Sequence, residues 1–153
     1  MEAVASAIES SALGSFVRET AWAYPLVNLA HLLGLILLVG GIGLLDLRIV
    51  GAFRALPLRL MSRALVPVGL AGLALLLLSG PLLFAADAIA LSRSSIFACK
   101  LGLIVLALGN AVIFRRCWKG DTNEPPAMLR IMAGASIALW LGAACLGRLI
   151  AYF

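Results

Sequence analysis

The sequence predicts an all-α integral membrane protein, a bundle of four transmembrane helices joined by short loops. The first observation behind this is composition. Of 153 residues, 63% are hydrophobic and only 12% charged, with a mean hydropathy of +1.11. A soluble domain carries about 25% charged and roughly 45–50% apolar residues. So little charge cannot cover a water-soluble globule of this length, and the surplus apolar surface calls for lipid. The second observation is that four apolar runs each reach the ~20 residues that cross roughly 30 Å of hydrocarbon. The third is that basic residues sit between these runs in two clusters, 48–63 and 115–130, as in loops held beside a membrane. That distribution, rather than the net charge of +5, excludes a nucleic-acid partner and names the lipid bilayer as the surroundings.

The first span is expected over about 24–45, opened by Pro25 where a missing N–H has no helical partner to lose. The second is expected over about 64–84, with Pro67 in its first turn and a Ser79-Gly80-Pro81 tripeptide that should kink or end the helix. The third covers about 96–114 and the fourth about 129–150. Residues 46–63 alternate Arg48, Arg54, Arg59 and Arg63 with Phe53, Leu56, Leu58, Leu60 and Met61, the pattern of an interfacial amphipathic segment broken at Pro57. Residues 5–20 suit a small amphipathic helix with Ile8, Leu13, Phe16 and Val17 towards lipid. Residues 86–95 read as a polar turn, and 115–128 as the most water-like part of a single membrane domain spanning 1–153.

The N-terminus, with Glu2 and Glu9 and no basic start, does not read as a cleaved signal peptide. Loops 46–63 and 115–130 hold eight Lys and Arg residues against Arg18, Arg93 and Arg148 at the other ends. The bias predicts a multi-pass protein with both termini outside the cytoplasm. Cys99, Cys117 and Cys145 form neither a disulfide framework nor a CxxC pair. Small residues at four-residue spacing, Ala30 with Gly34 and Ala138 with Gly142, and the run Gly40, Gly41 and Gly43, predict close helix contacts.

Polar groups inside spans are costly and therefore mark candidate sites. His31, Lys100, Arg148 and Asp87 all fall in the outer half. His31 is the only histidine, and Tyr24, Asn28 and His31 share one helix face, which should point into the bundle. His31 suits an axial haem ligand or a copper ligand, and equally a hydrogen bond to a neighbouring helix. Lys100 and Arg148 suit carboxylate partners, Asp87 or a cofactor acid among them, or snorkelling towards the headgroups. Cys99 and Cys145 could join His31 around Cu(I). Asn110 and Ser136 read as interhelical hydrogen bonders. The inner half is expected to be apolar or glycine-packed.

Three stretches, 18–51, 97–114 and 147–153, resemble a bacterial family of small four-helix inner-membrane proteins without an assigned function. The likeness is carried above all by Tyr24-Pro25, His31 and Asp46-Leu47-Arg48. More distantly the layout is similar to the copper-resistance protein D domain and to HemJ-type membrane proteins. In the latter a first-helix histidine and a lysine early in the third helix are functional, places that His31 and Lys100 occupy. The resemblance at His31 and Lys100, together with the level that Arg148 shares with them, leads to the expectation of haem b in the outer half, with His31 on the metal, Lys100 and Arg148 at the propionates, and Tyr24 and Asn28 on the histidine's helix face beside them. One histidine implies a five-coordinate haem or a homodimer. The chain lacks the WxxxxH opening and proline-arginine exit of HemJ proteins, so oxidase activity does not carry over. Copper handling, and a non-catalytic accessory subunit of a larger membrane complex, stand as the alternatives.

Overall fold

The computed structural model describes residues 2–118, 124–150 and 152. Among them the chain forms seven helices: α1 (Glu2–Glu9), α2 (Ala12–Glu19), α3 (Ala23–Val50), α4 (Leu58–Ala86), α5 (Ala88–Arg93), α6 (Ser95–Cys117) and α7 (Ala127–Leu149). Helices α3, α4, α6 and α7 are 28, 29, 23 and 23 residues long and apolar enough to cross a membrane. At 1.5 Å per residue they measure about 35–43 Å, longer than the hydrocarbon itself. The protein is an all-α, multi-pass membrane bundle.

The helix backbones pack in the order α4, α3, α7, α6. Among the described residues, α6 meets the backbone of α7 but not those of α3 or α4. Side chains close that open edge. Phe84 of α4 stacks on Phe97 of α6 with ring centroids 5.5 Å apart. Farther along, Leu38, Ala107 and Trp140 from α3, α6 and α7 form a core cluster with Leu73 and Leu76 of α4 packed against it. A second cluster, built from Leu45, Ile49, Leu58 and Ala133, fills the end where α3 turns into α4.

Glycine brings α3 and α4 together. A Cβ on Gly41 would lie 2.7 Å from the backbone nitrogen of Gly69, and one on Gly34 would lie 2.9 Å from the carbonyl oxygen of Gly72. Gly34 and Gly41 are seven residues apart, two turns on one face, so both reach α4. Gly40 meets nothing within 4 Å and Gly43 only Val39 of its own helix. Of the expected small-residue contacts, Gly34, Gly41 and Gly142 are used, the last against Leu103 of α6, whereas Ala138 is exposed.

The boundaries differ from the sequence expectation mainly at residues 46–63. These do not lie flat as one interfacial segment. Residues 46–50 prolong α3 and residues 58–63 begin α4, because Leu45, Ile49 and Leu58 are apolar side chains that the bundle buries at this end. Pro57 therefore opens a helix rather than breaking one, its carbonyl accepting from the Leu60 and Met61 N–H groups. Pro81 does not end α4, which continues to Ala86. The 86–95 turn contains α5, and residues 2–19 form two helices. Ser11 divides α1 from α2 by capping α2, its hydroxyl accepting from the Gly14 N–H at 3.2 Å. Val17, expected towards lipid, is only 2% exposed. Gly14 beside it lets the α2 backbone rest on the Ala85 carbonyl, which turns the Val17 side of α2 inwards. Of the polar connection 115–128, residues 119–123 lie outside the described residues.

Helices α1, α2 and α5 gather at one end of the bundle. Glu9 accepts from the Ile89 N–H at 2.8 Å, satisfying a free donor in the first turn of α5, and pairs with Arg18 at 3.3 Å. Glu2 pairs with Arg93 at 3.0 Å. The opposite end carries the α3–α4 turn and the start of α7.

Candidate functional site

Of the residues expected together, His31 and Lys100 are half-buried, while Tyr24, Asn28 and Arg148 are exposed. His31 is half-buried on α3. Its Nδ1 lies 2.8 Å from the Ser79 hydroxyl of α4. That hydroxyl also donates to the Leu75 carbonyl at 2.6 Å. A serine hydroxyl has one proton. With that proton on Leu75, Ser79 Oγ accepts from His31, so Nδ1 carries the ring proton and Nε2 holds the lone pair. Gly80 keeps space beside the ring, since a Cβ there would stand 3.6 Å from Cε1.

Lys100 is half-buried on α6. A Cβ on Gly147 would lie 3.1 Å from Lys100 Nζ. The ammonium therefore rests over bare α7 backbone two residues from that helix's end, with its stem running towards the end of the bundle. Asp87 is exposed and forms no ion pair with Lys100 among the described residues.

Tyr24 and Asn28 share a face with His31, but that face does not point inwards. Tyr24 is 45% exposed and Asn28 is exposed as well. The inward stripe of α3 is set by Gly34, Leu38, Gly41 and Leu45. At 100° per residue His31 lies about 50° from the centre of that stripe, and Tyr24 and Asn28 lie about 70° and 110° round. Arg148 is also elsewhere. It is exposed, donates to the Tyr152 hydroxyl at 2.7 Å, and lies 5.1 Å from the centroid of that ring.

The half of the bundle expected to be apolar also holds deeply buried polar groups. Asp46 on α3 is 6% exposed and Ser136 on α7 is also buried, and the serine hydroxyl is within hydrogen-bonding reach of the Asp46 carboxyl. Asp46 Oδ2 has no hydrogen-bond partner among the described residues. Asn110 of α6 donates to the Met132 carbonyl of α7 at 3.0 Å, one turn from Ser136. Asp46, Ser136 and Asn110 thus form a polar layer across three helices, separated from His31 by the Leu38, Ala107 and Trp140 cluster. Asn28 and Asp46 are 18 residues apart, five whole turns, and so share one face of α3. Asp46 is covered and Asn28 is not, which shows that α7 leaves this flank of α3 before reaching Asn28.

Haem b can be tested against these residues. Neither cavity that stands out in the molecule touches His31, Lys100 or Arg148. One is an open apolar groove between α1, α2 and α4, and the other lies at the Arg48 end. With Tyr24 and Asn28 turned outwards and Arg148 held by Tyr152, the residues expected to hold haem are not gathered around His31 among the described residues. Nor do they form a copper site of the expected kind. Cys99 and Cys145 are exposed, and no group of three His, Cys, Asp or Glu side chains gathers at metal-holding distance among the described residues. No family model, curated protein or solved structure matches this chain.

Proposed function

We propose that this chain is a non-catalytic accessory subunit of the bacterial inner membrane, with both termini on the outer side, whose intramembrane polar residues hold its helices in register. One observation carries the reading: three polar side chains within the spans are directed at neighbouring helices. His31 meets Ser79, Asn110 meets Met132 and Asp46 meets Ser136. Such contacts select one helix arrangement where lipid supplies no hydrophobic drive between helices. The exposed Asn28 amide, on a flank of α3 that α7 has left, is a polar group that a second membrane subunit would satisfy. The orientation rests on the Arg and Lys distribution between the loops.

The test pairs size with spectroscopy. Extracted in native lipid discs, the 16.0 kDa chain should travel in a larger assembly, and Asn28→Leu should release it from that assembly without lowering its own stability. A particle containing one chain and lipid only would overturn the accessory role. A second reading draws on the proton position at His31, because an imidazole whose Nδ1–H is held by a hydrogen bond presents Nε2 to a metal. Expression with ample haem, followed by an absorption spectrum, separates the two readings. A Soret band that disappears in His31→Ala would replace the accessory role with haem ligation.

A further inference from the structure

At the end of the bundle opposite α1, α2 and α5, a cavity of about 140 Å³ is lined by Arg48, Ile49, Gly51, Arg54, Glu124, Pro125 and Arg130. We infer that this cavity binds a phosphate group, either of a lipid headgroup or free in solution.

Three features support this. The first is charge. Among the described residues three guanidinium groups line the space against one carboxylate, and guanidinium forks match phosphate oxygens two at a time. The second is construction. Arg48 is only 5% exposed. It donates from Nε to the Leu56 carbonyl at 2.8 Å and from Nη2 to the Arg54 carbonyl at 3.2 Å, which fixes the turn between α3 and α4. Within that turn Gly51 has φ 130° and Phe53 φ 51°. Gly51 can take that angle because it has no Cβ. Arg54 is drawn back over it, donating from Nε to the Gly51 carbonyl at 3.1 Å. The Arg54 terminal nitrogens and the Arg130 guanidinium make no hydrogen bond or ion pair among the described residues. They supply the open donors at a wall that Arg48 holds in place. The third is location and size. The cavity lies between the end of α3, the turn that follows it and the start of α7, the depth of lipid headgroups for helices of this length. It has the room of four to five waters at roughly 30 Å³ each, which suits a phosphate with its five heavy atoms.

The experiment is native mass spectrometry of the full chain in detergent. Phosphatidylglycerol and a diacylglycerol with the same acyl chains are added in parallel, and inorganic phosphate is then titrated in. Phosphatidylglycerol should be retained one to one, at least about tenfold over diacylglycerol, from charge-assisted hydrogen bonds worth that ratio or more. The preference should vanish in Arg54→Gln/Arg130→Gln and persist in Arg115→Gln/Arg116→Gln, whose arginines are exposed at the same end but outside the cavity. Arg130→Gln alone removes no observed contact of the fold, so it serves as the test if the double variant melts early. Inorganic phosphate that displaces the lipid shows one phosphate site open to both sources. Inorganic phosphate binding without a lipid preference assigns the site to the free anion. Equal retention of diacylglycerol with no phosphate binding overturns the proposal. So does an equal loss in the two arginine pairs, which would mean a diffuse basic surface rather than this cavity.

Discussion

His31 on α3 and Ser79 on α4 meet through Nδ1 and Oγ at 2.8 Å, and the serine hydroxyl donates its own hydrogen bond to the Leu75 carbonyl. The pair links the first two spans well inside the apolar zone. Such bonds in membranes contribute on average about 0.6 kcal/mol and at most about 2 kcal/mol. Ser79→Ala and His31→Ala should each lower stability within that range. A double-mutant cycle measured by unfolding in mixed micelles should show a coupling above about 0.3 kcal/mol, the scatter expected of independent sites. Additive losses would remove the interhelical role of His31.

The glycines of α3 and α4 are not equivalent. A Cβ on Gly41 would meet Gly69 backbone at 2.7 Å, whereas one on Gly40 meets nothing. Backbone cannot move aside as a flexible side-chain end can. Gly41→Ala should therefore cost about 1–3 kcal/mol by overpacking. Gly40→Ala should be neutral, or stabilising by up to ~1 kcal/mol through helix propensity. Melting the two variants side by side in detergent checks both signs.

Asp46 combines deep burial with an oxygen that lacks a partner among the described residues. An amide of the same shape removes the desolvation of a charge and keeps an oxygen for Ser136. Asp46→Asn should thus melt at or above the parent, by up to about 1 kcal/mol. A loss of ~2 kcal/mol or more would show that the carboxylate has a stabilising partner in the membrane.

Arg48 holds two carbonyls of the α3–α4 turn from inside the protein. Arg48→Ala leaves both without that donor and should cost about 2–4 kcal/mol. Arg48→Lys should recover only part of this, since one ammonium cannot reproduce a planar fork reaching two acceptors. The exposed Arg59 and Arg63 are the controls, with alanine variants within roughly 0.5 kcal/mol of the parent. Equal effects at all three positions in a chemical unfolding series would mean that net charge, not the turn, sets stability.

Much of the spans could be read from apolar run lengths, because a helix in lipid must satisfy its backbone internally and be long enough to cross. The misreadings came where apolarity and position diverge. Arg48 and Asp46 look like loop residues by type, yet they sit on a prolonged helix whose Leu45 and Ile49 are core. Tyr24, Asn28 and His31 do share a face, but periodicity shows only that residues share a face, not which neighbour covers it. The Ser79 partner of His31 lies 48 residues away, in a tripeptide whose glycine and proline read as a helix stop.

By itself the sequence determined that this protein lives in a membrane as four helices, since composition and run length act through solvent transfer, which needs no knowledge of neighbours. Only the tertiary structure decided which polar groups meet. Helix rotation is set by the glycine contacts between α3 and α4 and by where α7 leaves α3. Those contacts turned Asn28 outwards, brought His31 to Ser79, and placed a buried carboxyl and a pinned arginine in the half of the bundle expected to be apolar or glycine-packed. Packing geometry of this kind arises from pairs of residues far apart in the chain, and no single stretch of sequence encodes it.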